Sequence, residues 1–421
     1  MWELIQANKR KSMILFVTMG IALVLLGYLI GSYFVPYGGG FYGIIAALFI
    51  WFFLSLISYF AGSPILLSVS RAKEVTPEVH QQLFNVVEEM QIAANLPKMP
   101  KVYIINEAAP NAFATGIKPE NSAVTVTAGL LSRLNRDELQ GVIAHEMSHI
   151  VNRDILLLTF AGIMLGSIVL ISEIFLKGLW FSSGTSGRYR SGSSSEGGQL
   201  QLIIMVVAII FAILAPILAQ LLYFAISRRR EYLADANGAR LTRYPEGLAS
   251  ALEKISSTDL ELKAANKVTA PMFIVNPLKK KGMKLSDLTA THPPTSERIK
   301  ILRSMSGGAN YIHYQQAYNQ VKGKNSPIIP ASGLKDNSNI QIQKPSAQQP
   351  DIDKVKAKRS LGDIMMTVNK YAFITCACGL KMKIPPDYKK PEIVCPKCGR
   401  KNSNPLVDIA AMATAAKDIK I

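Results

Sequence analysis

"NRDELQGVIAHEMSHIVNRD", residues 135–154, is the stretch from which the rest of the chain is read. Asn135 is a helix-capping residue type. Asp137 and Glu138 fall in the next turn, where carboxylates meet the positive end of a helix dipole. Leu139, Val142 and Ile143 recur at helical spacing. The stretch therefore predicts a helix over 135–152. On it, His145 and His149 stand one turn apart on the same face, with Glu146 beside the first. Two imidazoles so placed can share one ion. Zn²⁺ suits them, because a catalytic zinc takes three protein ligands and keeps a fourth position for water. Such a water has its pKa lowered to about 7, and an adjacent carboxylate takes its proton and later gives it to a leaving amine. A plainer reading, a polar helix face with no metal, also fits the motif alone.

A third ligand would separate the two readings. "RREYLADANGA" (229–239) predicts a second helix carrying Glu231, with Asp235 one turn later on the same face. Two readings of Glu231 stand: it completes the zinc shell, or it pairs with its arginine neighbours. Asp235 is of the type that orients a ligand imidazole through its other ring nitrogen.

Moving outward, an apolar run begins soon after His149. Hydrophobic residues make up 49% of the 421, and the mean hydropathy is +0.20, values that point to membrane segments. Four runs, about 12–34, 43–62, 155–176 and 201–226, each match the roughly 20 residues that cross about 30 Å of hydrocarbon. The net charge of +18 is placed as in a membrane protein. Lys9-Arg10-Lys11, Arg71 with Lys73, and Arg228-Arg229-Arg230 all flank these runs, so no nucleic-acid partner is expected. The same asymmetry places both termini and 69–154 in the cytoplasm, in a multi-pass membrane protein. The first run follows a basic segment but is too long for a cleaved leader and reads as an anchor. Glu173 falls at the outer end of the third run, and Pro216 is expected to kink the fourth helix.

Elsewhere, 76–95 reads as a helix, and "KVYIIN" (101–106) and "SAVTVTAGLL" (122–131) read as strands. Residues 321–369 read as a flexible linker, being rich in Ser, Asn, Gln, Pro and Lys. The four cysteines, Cys376, Cys378, Cys395 and Cys398, form C-x-C and C-P-x-C-G knuckles within a module at 370–402, followed by a tail at 403–421. A module this small cannot bury enough core to fold unaided. A structural Zn²⁺ on four thiolates is expected, and a cytoplasmic location disfavours disulfides.

At this point four stretches, in order, resemble one family. "NAFATG" (111–116), "GVIAHEMSHIVNRD" (141–154), "RRREYLADANGA" (228–239) and "THPPTSERI" (291–299) are similar to the HtpX-type membrane zinc metalloproteases, relatives of the CAAX prenyl proteases. The resemblance covers about 1–305. It implies an α+β, mainly helical, zincin-like metalloprotease domain on four transmembrane helices: a hairpin at 1–68, then a protease domain at 69–320 interrupted by a second hairpin at 155–226. It implies His145, His149 and Glu231 as ligands of a catalytic zinc and Glu146 as base. The substrates implied are damaged or misfolded membrane proteins, cleaved at the cytoplasmic face. "NAFATG" resembles a substrate-aligning edge strand, making Asn111 and Ala112 substrate-binding candidates, and His292 is a candidate oxyanion donor. The cysteine module lies beyond the family's usual extent. Two alternatives are prenyl-protein processing, against which four spans argue, and a non-enzymatic zinc-stabilised membrane adaptor.

Overall fold

The computed structural model describes residues 2–35, 37–185, 195–265, 269–277, 292–323, 327–335, 340–346 and 354–407. Side chains are described for only part of the long apolar helices. The Lys279–Lys281 run, the middle of the 177–200 loop and most of the tail lie outside the described residues.

Two long helices, α1 (Trp2–Phe34) and α2 (Gly39–Val69), form an antiparallel hairpin. Glycines set how closely they approach: a Cβ on Gly31 would lie 2.2 Å from the Gly39 carbonyl oxygen, and one on Gly43 2.0 Å from that of Gly27. Small residues at such crossings let helix backbones pack without a hydrophobic drive from water. Phe16–Phe34 and Gly39–Val69 are long and apolar enough to cross a membrane. The third and fourth runs belong to α6 (Asp154–Thr185) and α7 (Ser195–Thr242), both longer than a bilayer is thick. Two small cores join this bundle: α1, α2, α6 and α7 meet around Leu23, Leu165 and Ala215, and α1, α6 and α7 around Leu26, Phe175 and Ala208. Glu173 is exposed and pairs with Lys177 at 3.8 Å. Helix α7 continues through Pro216.

The rest forms an α+β body. Strands β1 (Ala72–Glu74), β2 (Lys101–Ile105), β3 (Ala112–Gly116) and β4 (Ser122–Thr127) make one sheet in the order β1-β2-β4-β3, with only β2 and β4 parallel. Helix α3 (Gln81–Ala93), a short α4 (Ala128–Leu131) and α5 (Arg136–Val151) surround it. Side chains alternate along the strands. Val102, Ile104, Val124 and Val126 therefore join the main core with α3 and α5. Ile105, Phe113 and Ala123 face the other way, toward the end of α2 and Phe273. Helices α8 (Pro245–Ser256), α9 (Thr295–Arg303) and α10 (Tyr311–Lys322) close the main core.

Three expectations change. "SAVTVTAGLL" is strand only to Thr127, whose hydroxyl accepts from the Leu130 amide and starts α4. The helix at 76–95 starts at Gln81, because the His80 ring nitrogen caps the Leu83 amide. Residues 321–369 are not uniformly a linker. Ile328 and Ile329 are buried, and α11 (Lys354–Val368) sets Ile364 and Val368 into the main core. A few apolar residues in a polar stretch suffice to dock it, since each buried aliphatic side chain contributes about 1.5–3 kcal/mol. Beyond α11, two hairpins, β5 (Ala372–Thr375) with β6 (Lys381–Ile384) and β7 (Glu392–Val394) with β8 (Lys401–Ser403), carry the cysteine knuckles.

Candidate active site

Helix α5 begins as its sequence predicts. The Asn135 side chain accepts from the Glu138 amide at 2.9 Å, and the Glu138 carboxylate accepts from the Asn135 amide at 2.9 Å. Such a cap contributes about 1 kcal/mol. From Leu139 to Ile150 every residue but Gln140 is buried, so α5 is an interior helix. Gly141 permits this: a Cβ there would lie 2.6 Å from the Leu248 amide of α8.

The helix does not run on into α6. It ends at Val151, and Arg153 takes a left-handed conformation with φ 61°. That break turns Asp154 back, so that its Oδ2 lies 3.1 Å from His149 Nδ1. Arg230 of α7 holds the other oxygen at 3.6 Å. By contrast, α7 carries the fourth apolar run and Glu231 on one uninterrupted helix.

His145, His149 and Glu231 converge. The two Nε2 atoms are 3.2 Å apart, and the Glu231 oxygens lie 3.5 Å from each. All three residues are buried, and their ligand atoms lie within 4.8 Å of one another. The opposite nitrogen of each ring faces a carboxylate: His145 Nδ1 is 3.0 Å from Asp235, and His149 Nδ1 is 3.1 Å from Asp154. Those carboxylates favour the proton on Nδ1 and turn both Nε2 lone pairs inward. Two lone pairs and a carboxylate then face one point, a donor set that suits a cation. Ligand atoms about 2.0–2.1 Å from a tetrahedral Zn²⁺ lie about 3.3 Å apart, close to the spacings here. Glu231 is not absorbed by its arginine neighbours: Arg230 pairs with Asp154, and Arg229 donates to the Pro327 carbonyl.

Asp235 is fixed in turn by Arg298 of α9, which donates two hydrogen bonds of 2.8 and 2.7 Å to it. Arg298 is fully buried, donates to the Ile274 carbonyl, and places Nη1 3.5 Å from Glu231. Burial presses the His145 imidazolium down, but Asp235 and Glu231 outweigh it and carry the ring up to about 9. Burial pushes the Glu231 carboxyl up, yet His292, the ligand histidines and Arg298 hold it well below the usual carboxylate range. For Asp235 the order is the same, burial upward and Arg298 downward, and Arg298 prevails. The surroundings that hold a proton on His145 are those that hold a metal cation once the proton leaves.

Glu146 is buried, and neither carboxylate oxygen has a hydrogen-bond partner among the described residues. Burial pushes its carboxyl up, opposed by His145 and His149 and, more weakly, by the Ala114 backbone. A buried carboxyl without partners costs stability and is kept where it does chemistry.

His292 also reaches the site. Its Nε2 lies 3.5 Å from Glu231 Oε2, and burial pushes its ring down to about 4, so it is neutral near pH 7. Strand β3 is one of the sheet's two edges, as the NAFATG reading expects of its strand. Asn111 and Ala112, however, are already engaged. Asn111 Nδ2 donates to the Val275 carbonyl at 2.8 Å, and the Ala112 carbonyl accepts from the Ile274 amide at 2.9 Å. Asn111 and Thr127 pair through hydrogen bonds. By the antiparallel alternation, Ala114 then turns its amide and carbonyl away from β4. Sequence reasoning missed Asp154, Arg298 and Ala114. All three stood inside the quoted motifs.

The second cluster is separate. Cys376 and Cys398 sulfurs are 3.5 Å apart, those of Cys378 and Cys395 3.6 Å, and all four are free thiols within 4.8 Å of one another. Gly379 (φ 82°) and Gly399 (φ 70°) turn the two knuckles, whose amides bond back onto the Cys376 and Cys395 carbonyls. Four thiols facing one point suit a tetrahedral zinc.

Comparison with known proteins agrees with the geometry. The pattern of Peptidase family M48 matches residues 77–306. The "Protease HtpX homolog" of Dictyoglomus thermophilum is 47% identical over 304 residues, 72% of this chain and 94% of the relative. That of Listeria monocytogenes serotype 4a is 43% identical over 307 residues, 72% of this chain and all of the relative. Among solved structures, the crystal structure of S. mikatae Ste24p matches at 21% identity with a TM-score of 0.37, over 72% of this chain and 67% of that one, too slight a likeness to bear on the fold. The family match ends before the cysteine module.

Proposed function

From the premise that this chain belongs to Peptidase family M48, as an HtpX-type membrane metallopeptidase, we propose that it is a zinc endopeptidase that cleaves damaged or misfolded membrane proteins at the cytoplasmic face of the bacterial inner membrane. The observation that carries the chemistry is the unpartnered, buried Glu146 beside three converging ligand side chains. A structural metal site has no need of that carboxylate.

His145, His149 and Glu231 would hold the zinc, with Asp235 and Asp154 fixing the two rings. When bound, the zinc acidifies a water and polarises the scissile carbonyl. Glu146 takes the proton of the attacking water and returns it to the leaving amine. Burial pushes its carboxyl up, which makes it a better proton acceptor than a solvated carboxylate. Neutral His292, with its Nε2 at the edge of the site, donates to the developing oxyanion. The outward amide and carbonyl of Ala114 pair with an extended substrate backbone, with Asn111 and Ala112 shaping the start of that edge.

Four spans, with both termini and this site in the cytoplasm, fit the charge pattern of the sequence. The short reach from α6 and α7 to the ligands suits a substrate emerging from the same bilayer. The test is a proteoliposome assay of the full chain on a single-span membrane protein and a destabilised variant of it, with Glu146→Gln alongside. Faster cleavage of the destabilised form, abolished in Glu146→Gln with zinc retained, supports the reading. Equal cleavage of both forms removes the quality-control reading, and activity in Glu146→Gln removes the mechanism.

A further inference from the structure

On the face of the sheet turned away from α5, a cleft of about 820 Å³ opens between the last turns of α2 and the turn joining β3 to β4. One wall is apolar: Tyr59, Phe60 and Pro64, exposed on α2. Their surface is continuous with the outer face of the hairpin, where Phe52, Phe53 and Leu56 are also exposed. The other wall is basic. Lys98 and Lys118 are exposed on it, and no carboxylate pairs with either among the described residues. Lys101 also lines it, but pairs with Glu74 at 3.1 Å. Glu120 is the acidic group on that wall.

The order of these walls is informative. Apolar and aromatic side chains lie along the helix that is long enough to cross a bilayer, and the lysines lie beyond its end. Going outward from the hydrocarbon, a phospholipid presents its parts in the same order: acyl chain, then phosphate. We propose that this cleft binds an anionic phospholipid, its acyl chain along Tyr59, Phe60 and Pro64 and its headgroup phosphate on Lys98 and Lys118. The proposal rests on the reading of α2 as a membrane span. Because Lys118 begins the turn that leaves β3, a bound headgroup bears on the strand whose Ala114 lies beside Glu146.

The test uses the full chain in detergent with added phosphatidylglycerol or phosphatidylcholine, read by native mass spectrometry. One phosphatidylglycerol is expected to stay bound where phosphatidylcholine does not. Lys98→Glu with Lys118→Glu should weaken retention at least tenfold, and Phe60→Ser several-fold. Reversing the exposed ribbon lysines, Lys389→Glu with Lys390→Glu, should leave retention unchanged. Unaltered binding in the Lys98/Lys118 variant, or an equal loss in the ribbon variant, overturns the site. Displacement of the lipid by glycerol phosphate at equal concentration overturns the assignment to a lipid. Unchanged zinc content and melting temperature show that each variant is folded. Release of the chain from membranes by alkaline wash identifies failure of the span reading itself, as distinct from failure of the cleft.

Discussion

The His145–His149–Glu231 centre and the four-cysteine cluster both gather ligand atoms around a point, but the protein surrounds them differently. The histidine centre lies inside a core built from α3, α5, α7, α8 and α9, and every ligand is itself held by a further buried charged group. The cysteine cluster has two short hairpins and a few partly buried apolar residues around it. The acid at its border, Asp363 of α11, is ion-paired with Lys381 and Lys383 of β6, unlike Glu146. At the first site packing sets the ligand positions; the second has little packing around it, so its hairpins are expected to depend on a bound metal.

The largest effect that tests this contrast is at Glu146. Glu146→Gln should lower kcat about 10²–10⁴-fold, with zinc content at the histidine centre unchanged. Retained turnover would make that centre as purely structural as the other. Next comes Arg298→Ala. It leaves Asp235 buried without its partner, and breaking such a pair costs about 3–5 kcal/mol; urea unfolding of the α+β body should show it. A loss within error would mean that the ring of charges is not what fixes His145.

The third test removes metal from each site separately. Cys378→Ser with Cys398→Ser should lower zinc from two equivalents to one and open 370–404 to proteolysis, while unfolding of the protease body is unchanged. Equal protection of the ribbon in that variant would show that it folds without metal.

A pH titration of the metal-free protein sharpens the same point. His145 is raised to about 9 from 6.5. The stability it contributes is therefore complete below pH 6.5 and is lost as pH rises through about 9. Metal-free protein should thus melt at lower temperature at pH 9.5 than at pH 6.5, a difference that zinc abolishes. The smallest effect is at the ribbon's mount. Asp363 of α11 pairs with Lys381 at 2.9 Å and Lys383 at 3.0 Å, all partly exposed. Asp363→Asn should cost no more than about 1 kcal/mol, visible as faster amide exchange in β6 and nowhere in α5.

Much of the centre was legible because its geometry is local. Two histidines four apart on a capped helix share a face wherever that helix packs, and Glu231 with Asp235 repeats the spacing. What was not legible depends on a turn or on distant packing. Asp154 reaches His149 only because Arg153 breaks the helix, whereas an unbroken reading from α5 into α6 points it elsewhere. Arg298 becomes a partner of Asp235 only after α9 packs beside α7. Ile328, Ile329, Ile364 and Val368 are too sparse to show periodicity, so their burial was hidden in a stretch whose composition reads as linker.

Helix α7 reaches from Ser195 to Thr242 without interruption, a rod of about 72 Å at 1.5 Å per residue. The histidines, by contrast, stand on α5, set off from α6 by the turn at Arg153. The carboxylate thus shares one rod with the fourth apolar run, and the imidazoles are set off from the third run by a turn. Any strain passed along that rod meets the packing of Tyr232, Leu233, Ala236 and Ala239 in the main core, so the carboxylate keeps its place against the imidazoles.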